Sequence, residues 1–256
     1  MKTFCFTVDD NIRFFKDLTF GEYHSIFEHP YLAVYKRLHE KFGLKVQLNL
    51  FYQTGDFNLS QMTEKYQDEW SKNSDWLKLS FHSKEENYRP YEFSSYEEVF
   101  ADCKDVHQQI VRFATINALA KTTTVHYCRT TAQGLDALKD NGVMGLLGLY
   151  GDKGEPRTSY GIIEEHAEKI REGAIVEVNG TCHAGIDVVI NEYSTEDVLQ
   201  KLAGLTGRNH LNVMIHEQYF YPDYKAYQPD YEQKLCAVFD LLKNHDYKSK
   251  FLEELL

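Results

Sequence analysis

Two hydrophobic rhythms take turns along the chain. Short apolar or β-rich runs lie at residues 2–8, 45–52, 76–81, 122–128, 143–150, 174–178 and 211–215, each of strand length. Between them apolar residues recur three and four apart, which lines them along one face of a helix. Residues 31–42 carry Leu32, Tyr35, Leu38 and Phe42 in this register. Residues 95–113 align Val99, Cys103, Val106 and Ile110 and open on Ser95 and Glu98, the reciprocal pair of a capping box. Residues 131–141 stop before Gly142, residues 194–205 start on a short polar cap, and residues 230–244 carry Leu235, Val238, Phe239 and Leu242. Strands alternating with helices predict an α/β fold, a parallel sheet covered by helices and either open or closed into a barrel. No Pro-, Gly- or Ser-rich linker divides the chain, so residues 1–256 read as a single domain, with 151–173 an excursion from the fifth unit.

Composition narrows the function classes. The chain has 28 Lys+Arg against 39 Asp+Glu, a formal net charge of −11. Nucleic-acid binding, which depends on neutralising phosphates with cations, is therefore not expected. Acids at positions 9 and 10 interrupt the N-terminal apolar stretch too early for a signal-peptide core. The longest uncharged apolar run, 143–150, is far below the roughly 18 residues of a membrane span. Five scattered cysteines without a C-x-x-C pair fit free thiols in a reducing cytoplasm better than disulfides or a thiolate site.

In parallel α/β folds, chemistry sits beyond the carboxyl ends of the strands. Four of the seven strand ends carry ionisable groups: Thr7-Val8-Asp9-Asp10, Ser80-Phe81-His82-Ser83, Val125-His126-Tyr127-Cys128-Arg129 and Met214-Ile215-His216-Glu217. Burying such groups unpaired is costly, and packing alone gives no reason to gather them on one rim. Adjacent carboxylates repel, and a divalent cation bound by one of them leaves its neighbour free as a base. Read singly, Asp9-Asp10 is a helix cap and His82 a hydrogen-bonded structural residue. Read together, they point to a site.

These residues carry a resemblance. Thr7-Val8-Asp9-Asp10 resembles the T-F-D-D motif of NodB-type polysaccharide deacetylases (carbohydrate esterase family four), and His82-Ser83 resembles the start of their H-S/T-x-x-H motif. Arg129 falls where the family has R-x-P-x, and Met214-Ile215-His216 resembles its final L-x-H. The resemblance implies a divergent member with a distorted (β/α)7 barrel, in accord with the seven strand-like runs. It implies metal-assisted hydrolysis of an acetyl group on a sugar or glycan precursor, with Asp10 and His82 holding a divalent metal, usually zinc. Asp9 would then deprotonate the attacking water, Arg129 orient Asp9, and His216 protonate the leaving group. Glu86 stands where the family has its second histidine and is the expected third ligand, with His126 as the alternative. Arg129 is followed by Thr130-Thr131 instead of a proline turn, and Glu177 and Asp187, near His183, are candidates for the acid that tunes His216. Tyr221 and Tyr224, beside Pro222 and Asp223, are expected to stack on sugar, whereas Trp70 and Trp76 are expected to pack. The competing reading is a metal-free carbohydrate-binding pseudoenzyme on the same fold. No G-x-S-x-G elbow, dinucleotide fingerprint or P-loop supports other chemistry.

Overall fold

The computed structural model describes residues 2–151 and 159–256. Its strands are β1 (Lys2–Asn11), β2 (Val46–Phe51), β3 (Gln53–Thr54), β4 (Phe57–Asn58), β5 (Leu77–Ser83), β6 (Thr122–Thr123), β7 (Gly145–Gly148), β8 (Val176–Val178), β9 (Thr181–Gly185), β10 (Val188–Val189), β11 (His210–His216) and β12 (Tyr247–Ser249). Its helices are α1 (Arg13–Phe20), α2 (Pro30–Phe42), α3 (Gln67–Lys72), α4 (Tyr96–Ala114), α5 (Ala132–Asp140), α6 (Glu164–Arg171), α7 (Thr195–Leu205) and α8 (Tyr231–Asn244).

One sheet runs β10-β11-β1-β2-β5, all parallel, with β12 also on β1; another runs β6-β7-β9-β8. Two seams join them. At the first, Ser80 Oγ donates to the Thr122 carbonyl at 2.8 Å, Thr123 Oγ1 donates to the Phe81 carbonyl, and one isolated bridge links Leu79 to Leu119. At the second, a single bent segment pairs with β7 as β9 and then with β11 as β10. Seven strand positions result, wound as a distorted (β/α)7 barrel that no continuous backbone ladder closes.

Strand alternation divides the barrel wall into two faces. Phe4, Phe6, Val8, Leu48, Leu50, Leu79, Leu211 and Val213 are buried on one face. There Phe239 of α8 meets Phe4 at 5.7 Å and Phe6 at 5.0 Å between ring centroids. The other face is polar, buried and paired across the lumen. Gln47 Nε2 donates to the Thr122 carbonyl at 2.9 Å and to Asn49 Oδ1 at 2.8 Å, and Thr122 Oγ1 donates to Gln47 Oε1 at 2.9 Å. A network satisfied in this way offsets the desolvation of its members and holds their rotamers. It leads upward to the strand ends.

Five expected helices are present as α2, α4, α5, α7 and α8, and α4 has the Ser95–Glu98 capping box. The short helices α1, α3 and α6 escaped the apolar pattern. Two strands differ from expectation. The fourth is regular only at Thr122–Thr123, after which His126–Cys128 form a 3-10 turn with Tyr127 at φ 63° and Cys128 at φ 53°. The run at 174–178 is not the sixth barrel strand. Asn179-Gly180, at φ 53° and 79°, folds it back as the antiparallel edge β8, since an Asn-Gly pair favours a two-residue hairpin. The sixth position is the β9–β10 segment. Of the expected excursion, residues 152–158 lie outside the described residues. Trp70 is buried between Phe15 and Phe113, and Trp76 stacks on His39 at 4.3 Å. All five cysteines are free, and among the described residues no helix is long and apolar enough to cross a membrane.

Two buried imidazoles outside the strand-end site, His107 and His183, contribute to a loss of stability in acid. Burial pushes His107 in α4 and His183 in β9 down to about 4. A depressed histidine stabilises the fold above its unfolded value and withdraws that contribution as pH falls toward the folded one. Unfolding free energy is therefore expected to drop between pH 6.5 and 4, by on the order of 1–2 kcal/mol per imidazole at pH 5. Denaturant melts of His107→Asn across this range should show a shallower slope than the parent, and equal slopes would refute the assignment.

Candidate active site

Two bulges at strand ends build the site. Val8 lies opposite Leu48 but Asn11 opposite Leu50, so β1 carries an extra residue at Asp9-Asp10. Asp10 takes φ 65°, a left-handed conformation that Asp tolerates better than most residues. In a regular strand neighbouring side chains diverge; the bulge turns both carboxylates inward, and both are buried. Asn11 anchors the distortion through Nδ2, which donates to the carbonyls of Val8 at 2.6 Å and Asn49 at 3.1 Å. β5 repeats the device: Leu50 faces Phe81 and Phe51 faces Ser83, leaving His82 as the extra residue.

Three donor atoms converge there. His82 Nε2 lies 3.0 Å from Asp10 Oδ1 and 3.0 Å from His126 Nδ1, and His126 Nδ1 lies 3.5 Å from Asp10 Oδ1. The far nitrogens face carbonyl oxygens, which only accept: His82 Nδ1 meets Thr124 O at 2.5 Å and His126 Nε2 meets Glu86 O at 3.1 Å. Each far nitrogen therefore carries its proton, and the two near nitrogens turn lone pairs toward the carboxylate. A single proton can bridge only two of these three acceptors. A divalent cation would satisfy all three, and donor atoms 3.0–3.5 Å apart are spaced as ligands with bonds of about 2.0–2.1 Å require. Asp10 Oδ2 accepts from Gln218 Nε2 at 2.7 Å, while Gln218 Oε1 is buried without a partner. Asp10, His82 and His126 could thus hold a metal ion.

A proton on His82 Nε2, shared with Asp10, is the alternative to a cation there, and against its own burial His82 is raised toward that form by the carboxylates of Asp9 and Asp10. Burial alone would raise the Asp10 carboxyl, but the His82 hydrogen bond and the imidazoles of His216, His82 and His126 hold it well below the usual carboxylate range. Burial and the neighbouring His82 push His126 down to about 4, which keeps its lone pair available. Asp9 behaves oppositely, and burial raises it against the pull of His82 and His216. Its Oδ1 accepts from Asn49 Nδ2 at 2.7 Å, which leaves Oδ2, 3.9 Å from His82 Nδ1, without a hydrogen bond among the described residues.

Asp9, His82, His126 and His216 line one cavity of about 460 Å³, with Tyr127 and Leu149 among its walls. His216 Nδ1 donates to Asn191 Oδ1 at 2.8 Å, and the same oxygen accepts the His216 backbone N–H at 3.1 Å. Its Nε2 is thereby the unprotonated nitrogen of the neutral ring.

The remaining sequence candidates have other partners. Glu86 is exposed, and it contributes its main-chain carbonyl to His126 instead of a carboxylate to a metal. Arg129 lines the cavity but pairs with Glu92 at 2.6 and 2.8 Å, and Asn49 takes the place expected for it on Asp9. Tyr221 donates to Glu217 at 3.1 Å beneath the Arg13 guanidinium, 4.0 Å from its ring, and Tyr224 packs edge-on against Tyr219 at 5.2 Å. Neither is among the cavity walls, whereas Tyr127, 53% exposed, is. Asp187 pairs with Arg208, and Glu177 is exposed on the β8 edge. Asn49, Asn191 and Gln218 were missed. The first had a visible signal, a polar residue at alternate positions with Gln47 inside an otherwise apolar strand.

Glu217 holds the chain that follows the Asp9-Asp10 bulge. Its buried carboxylate accepts the N–H groups of Ile12 at 2.7 Å, Arg13 at 3.0 Å and Phe14 at 2.9 Å, the unpaired donors at the start of α1. Glu217→Ala is expected to cost roughly 3 kcal/mol or more, and Glu217→Gln, which keeps one acceptor oxygen, distinctly less. Urea melts of the two variants measure the difference, and equal losses would refute this capping role.

No protein-family model and no curated protein matches the sequence. Solved structures do. A family 4 acetyl xylan esterase from Clostridium thermocellum, solved with a cobalt ion, superposes with a TM-score of 0.55 at 13% identity, over 99% of this chain and 90% of that one. A family 4 carbohydrate esterase pseudoenzyme from Bacillus anthracis gives a TM-score of 0.55 at 10% identity, over 99% and 65%. A 4-alpha-glucanotransferase from Thermococcus litoralis gives 0.65 at 14% identity, over 99% and 40%. The chain spans less than two thirds of the latter two proteins. With a candidate cation site at the carboxyl ends of its strands, this chain has the barrel fold of the family 4 carbohydrate esterases.

Proposed function

We propose that this protein removes acetyl groups from a sugar or glycan precursor by metal-assisted hydrolysis. The observation that carries this reading is the convergence of Asp10 Oδ1, His82 Nε2 and His126 Nδ1 beside a cavity that also presents Asp9 and His216. A divalent cation on those donors, zinc by the chemistry of a carboxylate–imidazole set, would polarise the acetyl carbonyl and acidify water. The protein's residues handle the protons. Asp9 Oδ2, made more basic by burial and steadied through Oδ1 by Asn49, takes the proton of the attacking water. His216, with Nδ1 fixed on Asn191, acts in its doubly protonated form and gives the Nε2 proton to the departing amine or alkoxide, returning to the neutral ring. Tyr127 is the aromatic surface offered to the sugar at the cavity wall. A cytoplasmic location accords with five unpaired cysteines.

Acetate release from acetylated oligosaccharides tests the reading. Activity is expected with zinc or cobalt, to disappear after chelation and to return on adding the metal. A second reading, a carbohydrate-binding pseudoenzyme, draws on Arg129, which is paired with Glu92 instead of Asp9. Glycan binding with no acetate release at any metal concentration would decide for it.

A further inference from the structure

A second cavity, of about 550 Å³, adjoins the first and shares Leu149, Val189 and Glu192 with it. It lies between α6, α7 and the bent β9–β10 segment and carries three cations, Arg171, Lys201 and Arg208, in a chain of net charge −11. Both guanidiniums are held from behind. Arg208 pairs with Asp187 through Nη1 and donates from Nη2 to the Arg171 carbonyl at 2.6 Å, while Arg171 donates to the Gly151 carbonyl at 2.9 Å and pairs with Glu164. Each of these contacts uses one N–H of a five-donor fork. Lys201 Nζ donates to the Tyr193 hydroxyl at 2.9 Å, and among the described residues no carboxylate lies within ion-pair distance of it. Gly204, inside α7, has nothing among the described residues within 4 Å of where a Cβ would stand. A helical glycine costs about 1 kcal/mol against alanine, and here it leaves the cleft open. Asp187 and Glu192 are the acids of the wall; Arg208 and the Asn212 N–H occupy the first, and the second stands at the junction of the two cavities.

We propose that this cleft binds an anionic group, a carboxylate or a phosphate, belonging to the substrate whose acetyl group lies between Asp9 and His216; this rests on the deacetylase reading. The Asp187 N–H bonds the carbonyl of Asn212, four residues before His216, which sets the Asp187–Arg208 end of the cleft about 13 Å down the strand from His216. The charge therefore belongs to a neighbouring unit or linker of the substrate, not to the acetylated ring.

Calorimetry on zinc-loaded protein with glucose 1-phosphate, glucuronate and glucose tests this directly, since binding is read without turnover. One or both anionic sugars are expected to bind at least tenfold more tightly than glucose, and which one does so identifies phosphate or carboxylate. Lys201→Glu should remove that preference, and Lys201→Arg should restore it. Equal binding of all three sugars, or a preference untouched by Lys201→Glu, overturns the cleft even where acetate is released from neutral glycans. A charge-dependent preference with no acetate release from any glycan overturns the deacetylase reading beneath it.

Discussion

His126→Ala is expected to strip the protein of its divalent cation, and Glu86→Ala to leave it in place. Both residues were possible third ligands, but only the imidazole of His126 stands within 3.5 Å of the other two donor atoms. Glu86 acts through its carbonyl, which survives truncation of the side chain. In the parent, zinc at a hundredfold excess over its dissociation constant should stabilise the fold by about 2.7 kcal/mol. For a chain of this size that raises the melting midpoint by roughly 5–10 °C. Losing one of three ligands weakens binding by roughly a hundredfold or more, so at the same zinc concentration the His126→Ala shift nearly vanishes. Differential scanning calorimetry with and without zinc, beside metal analysis of the dialysed proteins, measures both variants. A parent that shows no zinc-dependent shift refutes the metal site; a Glu86→Ala variant that behaves like His126→Ala refutes this choice of ligands.

The sequence made the barrel legible and the site only partly so, and the reason is local geometry. Period-two and period-3.6 patterns report regular backbone. They located β1, β2, β5, β7 and β11, and the capped helix α4, where Ser95 and Glu98 form the expected reciprocal bonds. The donors sit where the pattern fails. Asp10 and His82 occupy bulges, and His126 opens a 3-10 turn in which Tyr127 and Cys128 take positive φ. A strand drawn straight through residues 122–128 carries Arg129 past the rim to the wrong partner and leaves His126 undecided. Residue type identified Asp9, His82 and His216, which line one cavity, and Asp10, which meets His82 beside it, since costly groups gathered at strand ends are a signal that survives irregular backbone. The neutral residues that orient them gave no such signal. Asn191 under His216 and Gln218 on Asp10 are recognised only by what they touch.

Asp9→Asn is expected to lower acetate release by roughly 10²- to 10⁴-fold, the contribution of a positioned general base, while cation binding and the fold persist. The substitution is nearly isosteric. Asparagine can still present an oxygen to Asn49 Nδ2, so the hydrogen bond at 2.7 Å and the bulge it steadies need not change. What disappears is the free Oδ2, replaced by an amide that cannot take a proton. Asn49→Leu offers the complementary case. It keeps the carboxylate but removes a hydrogen bond that favours its charged form, so activity should persist with the acid limb of the pH–rate profile moved to higher pH. A lower rate at every pH without that displacement would mean that Asn49 only packs. Turnover that survives in Asp9→Asn with metal content unchanged would mean that the water loses its proton to another group, and Asp9 would then be a buried partner of His82 instead of the base.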